Sequence, residues 1–227
     1  GAAMAAAGAA VAGAAGSGAG LLGGVSYLVF VGPALLASAA LTVAFEETSY
    51  VVMGGFRWSR EFWSMNAAPI RAGQIADGVL LAAAFRIVFT VAVFWVLLLV
   101  FGAAPAPYAS LAMPAAILAS LAFGAVIMAV ACRIEEDDSW FSIIYRLVIA
   151  PMLLFSGTFF PLEGYPVWLR WIGWISPLWH GTQLGRVAAW GMAEPLWLTA
   201  IHLAYLLAML AVGRHLAHTG FARRLSK

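Results

Sequence analysis

From Val25 to Phe45 the chain reads VSYLVFVGPALLASAALTVAF, an unbroken run without a charge. A helix needs about 20 such residues to cross a hydrocarbon core of roughly 30 Å, and a soluble fold of this length has no place to put them. The run is not isolated. Comparable stretches occupy 78–101, interrupted only by Arg86, then 109–131, then 140–160, which carries Arg146, and 196–213. Backbone in lipid must satisfy its own hydrogen bonds, so repeated apolar runs of this length predict an all-α polytopic membrane protein with five transmembrane helices. Pro33 is compatible with the first of them, because neighbouring helices can satisfy the carbonyl it frees. Composition closes the remaining escape. Apolar residues are 64% of the chain and charged residues 10%, against about 45–50% and 25% in soluble domains. Nothing is left for a separate soluble domain, and residues 1–227 read as one transmembrane domain.

Residues 1–24 are almost pure Gly and Ala. They lack the basic start of a secretory signal, and they offer little apolar area. Either a sixth, weaker span or a flexible loop fits them. The chain also opens without Met, which suggests that a natural N-terminus has been lost. With six spans, both ends would lie on the same side. Cys132, the single cysteine, offers neither a disulfide nor a metal framework and reads as a small packing residue. No cofactor, metal or nucleic-acid partner is expected.

Lys and Arg set orientation. With the 46–74 segment, the 132–139 turn and the tail on one side, that side holds Arg57, Arg60, Arg71, Arg133, Arg214, Arg223, Arg224 and Lys227. The other side holds Arg170 and Arg186. The tail is therefore expected in the cytoplasm.

Two segments break the apolar pattern. Residues 46–74 mix charges with bulky apolar groups: Arg57, Trp58, Arg60, Glu61, Phe62, Trp63 and Met65 could form a short helix. Trp58, Phe62 and Met65 recur at helical spacing. Aromatic residues, Met and Arg are what protein interfaces favour, so a docking site for a soluble partner is one reading, and a helix lying on the inner leaflet is the other. Residues 161–195 carry Tyr165, Trp168, Trp171, Trp174, Trp179 and Trp190. Trp168, Trp171, Ile172 and Ile175 predict a short amphipathic helix closed by Pro177. Trp and Tyr favour the headgroup level, which makes this an external aromatic belt. A re-entrant helical pair, an external gate on a substrate path, is the sharper alternative.

At this point the residues resemble a known family. Ser156-Gly157-Thr158-Phe159-Phe160-Pro161-Leu162, Tyr165-Pro166-Val167-Trp168-Leu169, Ser176-Pro177-Leu178 and Arg186 resemble the C-terminal signature of type-2 ABC exporter permeases. Tyr27 to Ala37 (YLVFVGPALLA) resembles their second span. Phe45-Glu46-Glu47-Thr48, Arg60-Glu61-Phe62-Trp63 and Ala68-Pro69-Ile70 resemble the loop after it. The likeness is nearest to permeases exporting nodulation lipo-oligosaccharides and drugs. It implies a transmembrane permease subunit that pairs with a second permease copy in the lipid bilayer and is driven by a separate ATP-binding subunit. The chain has no GxxxxGK[ST] phosphate loop, so it is not expected to be an enzyme itself. The resemblance places the ATPase-coupling helix within 46–71.

The remaining candidates admit plainer readings. Arg86 and Arg146 lie inside spans, where they snorkel, pair with Glu46, Glu47 or Asp77, or meet an anionic substrate. Glu135-Glu136-Asp137-Asp138-Ser139 caps the fourth span or touches the ATPase. His180 and His202 are well separated in sequence and read as packing or interfacial groups rather than a metal site or proton relay. Ser156 as a protease nucleophile would need His202 as its base. An ion- or proton-coupled secondary transporter is the alternative function, although deep acidic or His groups are its usual mark and the deep charges here are Arg.

Overall fold

The computed structural model describes residues 25–135 and 139–226. The expected sixth span in the Gly/Ala segment, and most of the acidic run expected to cap the fourth span, lie outside them. Among the described residues every regular element is helical, in the order α1 (Tyr27–Arg57), α2 (Glu61–Asn66), α3 (Ala72–Val100), a 3₁₀ turn (Ala109–Leu111), α4 (Ala112–Ala131), α5 (Ser139–Phe155), a second 3₁₀ turn (Leu162–Gly164), α6 (Val167–Ile175), α7 (Pro177–Trp190) and α8 (Leu196–Leu225). Among the described residues four helices are long and apolar enough to cross a membrane: α1, α3, Ala109–Ala131 and α8.

Helix and span boundaries part company in α1. The apolar run ends at Phe45, but the helix, 31 residues long from Tyr27, continues to Arg57. Glu46 and Glu47 do not stop it, because a carboxylate near the membrane edge is solvated without leaving the helix. At 1.5 Å per residue Glu46 lies about 29 Å along the axis from Tyr27, close to one hydrocarbon thickness. The expected 46–74 loop therefore shrinks to the stretch after Arg57, with α3 resuming at Ala72. The tail is corrected in the same way: residues 214–225 continue α8 as helix.

Hydroxyl groups within α1 are satisfied internally. Ser38 donates to the Ala34 carbonyl at 2.7 Å, Thr42 to Ser38 at 3.0 Å and Thr48 to Ala44 at 2.6 Å. Such back-bonding lets polar side chains sit at lipid depth without unpaired groups.

The helix α4 is the hub, packed by α1, α3, α7 and α8. Its sequence explains this role: it is uncharged and rich in Ala, so neighbours approach closely. A Cβ on Gly213 of α8 would lie 2.8 Å from the Val126 backbone nitrogen. By contrast α3 buries only one stripe, Ile87, Val91, Trp95 and Leu98, and leaves Leu81, Phe85 and Phe89 outward. Cys132 is buried just past α4, and burial pushes its thiol pKa above the ordinary value, consistent with packing.

The expected fourth span is shorter than 140–160. α5 ends at Phe155, and its middle, Tyr145–Ile149, is π-helical. Pro151 supplies the cause: it lacks an N–H and crowds the carbonyl four residues back, which the wider turn accommodates. Beyond Phe155 the chain turns at Gly157, whose φ of +72° suits glycine, and enters the α6–α7 hairpin.

Candidate functional site

One end of the bundle is built around α2. After α1, Ser59 donates to the Gly54 carbonyl, and Arg60 adopts a left-handed φ of 54° that turns the chain back. Phe62 then falls onto Gly55, where a Cβ would clash with its ring. Phe56, Phe62 and Phe221 form a three-ring cluster with centroids 4.9–5.4 Å apart. Trp63 donates through Nε1 to the Phe56 carbonyl at 3.1 Å. From α8, Arg224 lies over the Phe56 ring at 4.2 Å and donates to the Cys132 and Ile134 carbonyls at 3.1 and 2.8 Å. So α1, α2, α8 and the end of α4 are fastened together. A cavity of about 490 Å³ opens beside them, lined by Phe56, Arg57, Arg60, Trp63, Glu135 and Arg224.

This arrangement overturns the expected helical stripe of Trp58, Phe62 and Met65. Phe62 is 3% exposed and is spent inside the protein, whereas Trp58 is 60% exposed. Trp58 caps α1 and lies outside the six-residue α2, so Trp58, Phe62 and Met65 do not share a helical stripe. Of the predicted residues, Arg57, Trp58, Arg60, Glu61, Met65 and part of Trp63 face outward.

Further along the bundle sit the paired charges. Arg86 of α3 donates to Glu47 of α1, although its own side chain is 68% exposed. Arg214 holds both oxygens of Asp77 at 2.7 Å, and His218 meets the same carboxylate at 2.7 Å, tying α8 to α3. Arg146 is exposed on the π-helical turn and lines a groove with Phe45, Glu46, Tyr50, Ser142 and Tyr145.

The hairpin end is held by buried polar groups. Arg186, counted with Arg170 on the non-cytoplasmic side, is 2% exposed. It donates to the carbonyls of Phe30 at 3.2 Å and Gly157 at 2.7 Å, and its guanidinium lies 3.7 Å from the Phe30 ring centroid. Ser156 donates to Ser176 at 2.7 Å; this contact, with no histidine in it, replaces the protease reading. Trp168, Trp171 and Trp174 point outward from α6, and Tyr165 donates to the Leu154 carbonyl at 2.9 Å. Trp179 departs from that belt, because its ring packs edge-on against His180 and His202. Those two histidines meet at 2.6 Å, and Glu194 lies 3.2 Å from His202. Sequence spacing gave no hint of this, since His180 is on α7, Glu194 is in a loop and His202 is on α8.

The class these features define is a multi-pass helical membrane protein with a buttressed short helix at one end and a packed helical hairpin at the other. Residues 8–190 match the family described as ABC-2 type transporter, and the chain belongs to that family. It is 29% identical over 205 residues to Nodulation protein J of Rhizobium leguminosarum bv. viciae, covering 90% of this chain and 78% of that protein. It is 28% identical over 206 residues to Nodulation protein J of Rhizobium meliloti (strain 1021), covering 91% and 78%. With Nodulation protein J of Rhizobium leguminosarum bv. trifolii it shares 30% identity over 167 residues, 74% of this chain but 63% of that protein. Solved structures give no significant match.

Proposed function

We propose that this chain is the permease subunit of an ATP-driven ABC exporter, moving an amphipathic, lipid-like substrate or drug out of a bacterial cell. The observation that carries the reading, beside family membership, is the mounting of α2. A force applied to a short helix is transmitted only if that helix is fixed to the elements that must move. Here the Phe56–Phe62–Phe221 cluster fixes α2 to both α1 and α8. A separate ATP-binding subunit docks on the outward groups Trp58, Arg60, Glu61 and Met65, with Arg57 at the cavity beside them. Phe62 and Trp63 act behind that face as the link to the bundle.

In this reading the α2 end and the C-terminal end of α8 are cytoplasmic, in keeping with the Lys/Arg asymmetry. The chain is in the inner membrane and pairs with a second permease copy. α5, together with the hairpin that follows it, serves as a fifth span, and the hairpin forms the external gate with Tyr165, Trp168, Trp171 and Trp174. Arg86 and Arg146 lie at the inner-leaflet level, where an amphipathic substrate presents its headgroup.

The test is co-purification of the full-length permease with its ATP-binding subunit. Trp58→Ala should insert normally and weaken the complex by about thirtyfold, since buried anchors commonly cost about 2 kcal/mol or more at interfaces. Arg60→Ala should do much less, as exposed ion pairs do. A Trp58→Ala permease that keeps its partner and transports normally would contradict the docking face.

A further inference from the structure

At the hairpin end three titratable groups lie in a row. The His180 Nε2 is 3.0 Å from the Trp174 carbonyl. Its Nδ1 is 2.6 Å from the His202 Nδ1. The His202 Nε2 is 3.2 Å from Glu194 Oε1, and Glu194 Oε2 accepts from Thr199 at 2.8 Å. The His202 side chain has no exposed surface and that of Glu194 has 4%. Tyr205 stacks on His180 at 4.1 Å, and Trp179 covers both imidazoles.

The protons can be counted. A carbonyl only accepts, so His180 Nε2 carries a hydrogen. The contact between the two Nδ1 atoms needs one more, and the contact between His202 Nε2 and Glu194 needs a third. Two neutral imidazoles supply two, and an ionised carboxylate supplies none. Without a third proton, one contact sets lone pair against lone pair and the row carries a buried, uncompensated negative charge. A metal does not solve this. With zinc–nitrogen bonds of about 2.0–2.1 Å, a separation of 2.6 Å between the two nitrogens would force an acute N–Zn–N angle, far from tetrahedral.

Among the described residues no other charge supplies the balance. α4 has no ionisable residue. On α6, Arg170 is turned to the Tyr165 and Glu163 carbonyls. Arg186 on α7 is committed to Phe30 and Gly157. The Tyr205 hydroxyl donates to the Ile175 carbonyl.

We propose that Glu194, His202 and His180 form a buried proton-binding site that holds one proton beyond two neutral imidazoles and a carboxylate. The proton resides on Glu194, His202 or His180, and each placement satisfies all three contacts. It clasps the end of α6, α7 and the loop before α8 to α8 itself, so the fit of the hairpin against the last span depends on its occupancy. The site rests on this geometry and stands whether or not the chain is an exporter.

The sign of the pH dependence follows. Above about pH 6.5 an unfolded chain has neutral histidines and ionised glutamates, so the folded protein holds one proton more. Stability from this site is present near neutrality and is lost as pH rises through the site's own titration. The experiment compares the full-length permease in nanodiscs with Glu194→Gln, whose amide N–H donates to His202 at every pH. Between about pH 7 and 9, the ratio of wild-type to variant unfolding constants should rise by up to about tenfold per pH unit. At about pH 8, nitrogen-15 spectra of the histidines and the infrared carboxyl band should show one imidazolium or one protonated acid, assigned to this site by its loss in Glu194→Gln. Parallel pH profiles, or two neutral rings beside an ionised carboxylate in the wild type, would overturn the proposal. Should Glu194→Gln fail to fold, spectra of a His215→Gln/His218→Gln permease, whose remaining histidines are His180 and His202, decide: a protonated carboxyl band or an imidazolium at about pH 8, against neither.

Discussion

At the α2 end, helices are joined by aromatic rings, and the charged groups lie around an open cavity. At the hairpin end the joints are polar and closed: Arg186 on backbone carbonyls, Ser156 on Ser176, and the His180–His202–Glu194 row. The difference is physical. Beside water, an apolar cluster is stabilised by the surface it removes, and charges need no partner. Where the surroundings are already apolar, further apolar contact gains little, so specific polar pairing and close packing do the joining. One end is therefore held by rings that leave its charges open, and the other by polar pairs closed away inside the protein.

Mutations should break the two ends differently. The largest effect is expected from Arg186→Ala, which leaves the Gly157 carbonyl buried without its donor and removes the guanidinium from the Phe30 carbonyl and ring. At about 1–3 kcal/mol for each unsatisfied group, the folded fraction after detergent extraction should fall severely. Arg186→Lys should rescue only part of it, since an ammonium cannot span the same acceptors. Phe62→Ala should cost about 3 kcal/mol by emptying the ring cluster. Fluorescence-detected size exclusion on heating would show this, without the partner present. Smaller again is the Glu47–Arg86 pair, where a double-mutant cycle should give at most about 1 kcal/mol because the arginine is largely exposed. Trp168→Ala should change stability by less than about 0.5 kcal/mol, since the ring faces outward. If Phe62→Ala proved harmless while Trp168→Ala unfolded the protein, the contrast between the ends would be reversed.

How much was legible in the sequence follows the same division. Apolar run length located the four long helices, because lipid imposes one rule on every residue of a span. It misplaced their ends, since nothing about Glu46 or Arg214 stops a helix once it emerges. α2 was legible as a helix, and Val167–Ile175 followed from the Trp spacing with Pro177 opening α7. The burial of Phe62 was not, because it depends on Gly55 and on Phe221, which comes from the far end of the chain. The histidine row was hidden for the same reason: its members come from three separate segments, and a lone buried His gives no periodic signal. The π-helical turn of α5 had a visible cause in Pro151, yet where the chain would absorb the strain depends on packing.

Directed cross-linking tests the central claim most directly. With the buried Cys132 replaced by alanine, Met65→Cys and Gly164→Cys permeases would be expressed with the ATP-binding subunit and treated with a short bifunctional thiol reagent in native membranes. The account predicts that Met65→Cys joins the ATP-binding subunit, whereas Gly164→Cys does not and instead labels from outside whole cells. Cross-linking through Gly164→Cys, with none through Met65→Cys, would contradict both the orientation and the role given to α2.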